Sequence, residues 1–105
     1  MQFTSYLENG RLTIVLTGEI DHHCAKSYID TIEAKIEAYT PEICILDFQE
    51  VGFVDSSGIA VVINALRAIS RIDGRLLLSG IQPQPMRVFQ TSGLDKIVQI
   101  EEVTI

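Results

Sequence analysis

Apolar residues fall along the chain in blocks whose spacing switches between about two and about 3.6, and each switch marks a change of element. Residues 2–7 and 11–17 are strand-like runs on either side of Glu8-Asn9-Gly10, where an Asn-Gly step predicts a tight hairpin. In the second run Leu12, Ile14 and Leu16 share one face, while Val15 predicts partial cover on the other. Gly18-Glu19-Ile20-Asp21 breaks the strand. Ala25, Tyr28, Ile29, Ile32, Ile36 and Tyr39 then recur at helical spacing, with Asp30, Glu33, Lys35 and Glu37 opposite and Pro41 closing the helix.

Residues 43–72 read as a buried strand, an exposed turn and a second helix. Ile43, Cys44, Ile45 and Leu46 form an unbroken apolar run, which predicts a strand covered on both faces in a partly parallel sheet. In the helix, Ile59, Val62, Ile63, Leu66 and Ile69 make the expected core stripe. Beside it runs a second row, Val61, Ala65, Ala68 and Ile72, wider than packing on a sheet requires. Either the helix is sunk deep among its neighbours, or this flank faces a partner and makes Val61 and Ala65 partner-binding residues. Asp73-Gly74 ends the helix, and residues 75–79 form another short strand. Gln82-Pro83-Gln84-Pro85 opens a last short helix carrying Met86 and Phe89, which ends at Ser92-Gly93, and residues 97–100 follow as an edge strand. The order β, β, α, β, α, β, α, β predicts an α/β sheet with mainly right-handed crossovers. No repeat, linker or low-complexity segment interrupts it.

A length of 105 residues suits one domain, spanning 1–105, with a single core. Apolar residues make up 47% and charged residues 21%, a globular balance. The formal charge of −6 argues against nucleic acid or an anionic membrane as partner, because both need clustered Lys and Arg, so the expected partner is a protein. The start MQFTSYLENG lacks a basic segment followed by an apolar stretch, and no run approaches the roughly 20 apolar residues of a membrane span. These features lead to the expectation of a soluble, cytoplasmic protein. Cys24 and Cys44 are expected as isolated thiols, since two lone cysteines make no ligand set.

The chemistry concentrates at Val54-Asp55-Ser56-Ser57-Gly58. Asp, Ser and Ser directly before a helix are residue types that accept backbone N–H groups, and Gly58 leaves the first turn open to close approach. A hydrolase built from Ser56 or Ser57 with His22 or His23 lacks G-x-S-x-G and any oxyanion-hole signal. His22 and His23 are adjacent, so they diverge rather than converge on a metal, and no phosphate-cradling glycine loop is present. Two readings of the serines remain: plain N-capping, or a phosphorylation switch. A phosphate adds about −1.5 to −2 charges, which a helix N-terminus tolerates and a protein interface does not.

These residues resemble the STAS domains, and among them the stand-alone bacterial anti-sigma factor antagonists of sporulation and stress-response type. Leu16-Thr17-Gly18-Glu19-Ile20-Asp21 resembles the family's L-x-G-E-(L/I)-D strand end, Asp55-Ser56-Ser57-Gly58 its D-S-S-G phosphorylation motif, and Ser92-Gly93-Leu94 with Lys96-Ile97 its late S-G-L-x-K-I stretch. The resemblance implies a mixed, mainly parallel sheet of about five strands with helices mainly on one face, and a regulatory role without catalysis. It implies that the unphosphorylated protein binds an anti-sigma factor that is also a serine kinase of histidine-kinase-like ATPase fold, freeing the sigma factor. That kinase would phosphorylate Ser56, and a PP2C-type phosphatase would restore it. Asp21, Asp55, Ser57 and Gly58 would support binding beside Ser56. No cofactor is implied, since the ATP belongs to the kinase. The alternative is a soluble subunit of a lipid or anion transport system, or a partner switch acting on a target other than a sigma factor. A neighbouring gene for a small ATPase kinase or for a permease would discriminate between them.

Overall fold

Thr4–Glu8 (β1) and Arg11–Thr17 (β2) form an antiparallel hairpin whose turn residues, Asn9 and Gly10, have φ of 52° and 78°. Both central residues of a type I′ turn need positive φ, and asparagine and glycine tolerate it best. The structure is a computed structural model describing residues 3–101, so Gln2 of the expected first strand lies outside the described residues. The chain continues through Ala25–Tyr39 (α1), Ile43–Glu50 (β3), Ser56–Ser70 (α2), Arg75–Ser79 (β4), Pro83–Thr91 (α3) and a 3-10 turn at Leu94–Lys96 to Gln99–Ile100 (β5).

The strands lie side by side in chain order, with β2 through β5 parallel. Right-handed crossovers that always advance the same way leave every helix on one side of the sheet. The burial along the strands agrees: Leu12, Ile14, Leu16, Cys44, Leu46, Phe48 and Leu78 are fully buried. They meet Tyr28, Ile32 and Ile36 of α1, Val62 and Ile69 of α2, and Phe89 of α3 in one core. Phe48 and Phe89 pack edge to face, with ring centroids 5.5 Å apart at 81°. Burial pushes the Cys44 thiol up to about 12, so it stays neutral.

Three expectations need correction. The run at residues 43–46 is not covered on both faces: Cys44 and Leu46 are buried, but Ile43 and Ile45 are half-buried on the face opposite the helices. A strand order that never reverses brings no helix to that face, and the β-branched isoleucines there suit a partly covered strand. The edge strand is shorter than residues 97–100. Gly93, at φ 81°, starts the 3-10 turn, whose Leu94 carbonyl takes the Ile97 and Val98 amides, so pairing begins only at Gln99.

The third correction bears on function. Val61 is 0% exposed, and Ala65 and Ala68 are each 3% exposed, so the row read as a candidate partner face is core except at its last member, Ile72, which is exposed. Packing between α1 and the sheet, α2 buries the arc containing Gly58, Val61, Val62, Ala65, Ala68 and Ile69. Of the expected core stripe, Ile59, Ile63 and Leu66 are only half-buried. Periodicity shows that an apolar arc is wide; it does not tell which edge is covered.

Candidate functional site

Val54 is tied into the sheet although it lies beyond β3. It bridges Ile20 in parallel fashion, with the Ile20 amide donating to Phe53 O at 3.0 Å and the Asp55 amide donating to Ile20 O at 3.1 Å. The same bridge brings the segment ending in Asp21 alongside the one ending in Asp55. Asp55 then caps α2 directly, and Asp21 leads through a turn into α1.

Asp55 is the N-cap of α2, with φ −101° and ψ −167°. Its carboxylate accepts the Ser57 amide at 2.7 Å and its carbonyl accepts the Gly58 amide at 2.9 Å. Extended backbone at the cap and a side-chain oxygen on the second helical amide are what an aspartate there supplies. Ser56, the first residue of α2, is exposed, whereas Ser57 is half-buried. Its hydroxyl therefore stands at the positive end of the helix dipole, where an added phosphate is favoured.

Gly58 is required for a steric reason. A Cβ at this position would lie 2.8 Å from the Val54 Cβ, closer than side chains pack, so the first turn of α2 rests directly on Val54.

Asp21 organises the entry to α1. Its Oδ1 accepts the His23 amide at 2.9 Å and the Cys24 amide at 3.3 Å, and its carbonyl accepts the Ala25 amide at 3.0 Å. Burial works against the anion, but these amides, the Cys24 thiol and the nearby His23 charge outweigh it and hold the carboxyl below its ordinary range. His22 and His23 are exposed loop histidines ahead of α1; their rings do not diverge as expected but lie tilted at 37° with centroids 3.9 Å apart.

Beside Ser56 a shallow cleft of about 380 Å³ runs between α2 and α3, walled by Asp55, Ser56 and Ile59 on one side and Arg87, Val88, Thr91 and Ser92 on the other. The folded chain thus gathers Asp21, Asp55, Ser56, Ser57 and Gly58 at one end of the domain and leaves Val61 and Ala65 out. Sequence reading missed the α3 wall, because no periodicity or motif links residues that far apart. It also passed over Gln84, which binds both backbone groups of Val54. Among the described residues no helix is long and apolar enough to cross a membrane.

Comparison with known proteins places this geometry in a family. The STAS domain profile matches residues 4–104. The anti-sigma F factor antagonist of Lysinibacillus sphaericus is 35% identical over 83 residues, covering 79% of this chain and 71% of the relative. That of Paenibacillus polymyxa is 30% identical over 91 residues, covering 87% and 78%. The solved structure of the Bacillus cell fate determinant SpoIIAA in its phosphorylated form superposes with a TM-score of 0.71 at 28% identity, covering 96% of this chain and 92% of that one. With the family profile spanning nearly every residue and the sheet order, the capped Asp55-Ser56-Ser57-Gly58 turn and the Ile20–Val54 bridge all in place, the chain belongs to the STAS domain family.

Proposed function

We propose that this protein is an anti-sigma factor antagonist that works as a partner switch: a regulatory binding protein rather than an enzyme. In its unphosphorylated form it binds an anti-sigma factor through the exposed N-terminal end of α2 and the adjoining cleft. The bound anti-sigma factor is a serine kinase that spends ATP to phosphorylate Ser56, and a PP2C-type phosphatase reverses the modification. The exchange takes place in the cytoplasm, and ATP is the kinase's substrate, not a cofactor of this chain.

One observation carries this reading: Ser56 is exposed at the first position of α2 while Asp55 performs the capping. A serine needed for the cap would be engaged with the helix; this one is available for chemistry. A phosphate on it adds about −1.5 to −2 charges at a place the helix dipole tolerates, so the fold survives. Across a docked interface the same charge must be desolvated or repelled. A hundredfold loss of affinity needs only about 2.8 kcal/mol. The likeness to SpoIIAA, a protein known in phosphorylated and unphosphorylated forms, supports the same switch here.

The docking row of α2 in this reading is Ile59, Ile63 and Leu66, half-buried and continuous with the cleft at Ile59, in place of the buried Val61 and Ala65. Asp21, Asp55, Ser57 and Gly58 shape the contact end. Incubating the protein with ATP and the anti-sigma F factor of Lysinibacillus sphaericus, followed by mass spectrometry, tests the reading. The expected product carries one phosphate, on Ser56; a phosphate elsewhere, or none, would overturn it.

A further inference from the structure

The segment that carries Ser56 is gripped from both sides, and one of the two grips is a side chain. Gln84, in the first turn of α3, accepts the Val54 amide on Oε1 at 2.9 Å and donates from Nε2 to the Val54 carbonyl at 2.9 Å. A neighbouring strand offers a residue this same donor and acceptor pair through its backbone. Two residues earlier, Gln82 donates from Nε2 to the Gln49 carbonyl at 2.7 Å. The two glutamines of the Gln82-Pro83-Gln84-Pro85 stretch thus hold opposite ends of the connection between β3 and α2.

On its other side the segment pairs with Ile20, as described above. Val54 therefore lies between a backbone and a carboxamide as if between two strands, and Ser56 follows two residues later. The packing of Gly58 against Val54 makes the first turn of α2 follow any displacement of Val54. We infer that Gln84 is a positioning residue for modification of Ser56, fixing the acceptor turn by standing in for a missing strand at Val54. The inference rests on the reading of Ser56 as the modified residue.

The chemistry selects glutamine. Glutamate, when ionised, accepts from the Val54 amide but has no proton for the Val54 carbonyl; asparagine is one methylene shorter; leucine offers neither group. Without the carboxamide, Val54 is held on the Ile20 side alone. The acceptor oxygen then spends less time in the orientation that phosphoryl transfer requires.

The test uses the full chain with Gln84→Ala and Gln84→Glu, read by amide hydrogen exchange and by phosphorylation with the Lysinibacillus anti-sigma F factor and ATP. Gln84→Ala should speed exchange at Val54, Asp55 and Ser57 about tenfold or more while Ile14 and Leu46 change less than about threefold. Its kcat for phosphorylation should fall about tenfold, with KM within about threefold. Gln84→Glu should protect the turn at acid pH, where the protonated carboxyl can both accept and donate, and lose that protection as pH rises through about 4.3, the ordinary value for the introduced group. This second variant carries the test if the alanine variant does not fold.

Exchange at the turn unchanged by Gln84→Ala, equal acceleration in the core strands, a loss confined to KM, or a Gln84→Glu turn indifferent to pH would each overturn the inference. A wild-type protein that takes no phosphate on Ser56 would instead sink the functional reading, while the exchange measurements would still decide whether Gln84 orders the turn.

Discussion

The Asp55 carboxylate accepts the Ser57 amide at 2.7 Å, and this bond separates the residue that caps α2 from the residue offered to solvent between them. Capping falls to Asp55, which leaves the exposed Ser56 open to the switch proposed above. Replacing Ser56 by alanine should change stability by less than about 0.5 kcal/mol, whereas Asp55→Ala should cost about 0.5–2 kcal/mol. Urea unfolding of the two variants checks the assignment. Comparable losses would return Ser56 to the cap.

Charge at Ser56 should act on docking and leave folding alone. Ser56→Asp is expected to bind the anti-sigma factor about a hundredfold more weakly than Ser56→Ala, a difference of about 2.8 kcal/mol, with both variants melting together. Titration calorimetry gives the comparison. Equal affinities would count against a charge switch.

On α2 the two flanks should respond in opposite ways to an introduced carboxylate. Val61→Glu or Ala65→Glu puts an unpaired charge into the core and should cost more than about 2 kcal/mol. Ile63→Glu, at a half-buried position, should preserve most of the stability and weaken partner binding instead. Thermal melts alongside binding measurements separate the two flanks.

Gly58→Ala should reverse the usual helix rule. Alanine is worth about 1 kcal/mol more than glycine within a helix. Here its methyl would meet Val54 at 2.8 Å, and overpacking of that kind costs about 1–3 kcal/mol. The expected net result is a destabilised protein whose NMR shifts move most at Val54–Ser57. A stabilised variant would mean that Val54 yields easily.

Asp21 predicts a sensitivity to acid at the start of α1. A carboxyl whose folded pKa is depressed stabilises the fold above its unfolded value, about 3.9, and loses that contribution as pH falls through the folded value. The amides of His23 and Cys24 should therefore lose protection in strong acid. Asp21→Asn should remove this pH dependence and flatten the acid side of the melting curve. An unchanged acid limb would show that the Asp21 carboxylate contributes nothing there.

Much of the fold is legible in local order. The Asn9-Gly10 turn, the alternation of Leu12, Ile14 and Leu16, the helical recurrence from Ala25 to Ile36 and the acid-serine-serine-glycine turn each follow from constraints within a few residues. Backbone sterics and a two- or four-residue repeat are properties of neighbours along the chain, so the chain alone determines them. Contacts between distant segments obey no such repeat. That Val61 and Ala65 lie fully inward while Ile63 is only half-buried was decided by where α1 and the sheet pack against α2. That Val54, at the entry to the Asp55–Ser57 turn, is held by Gln84, thirty positions further on, was decided by α3 coming to rest beside it. Burial and side-chain pairing across the domain depend on the sum of all packing at once, and only the tertiary structure carries that sum.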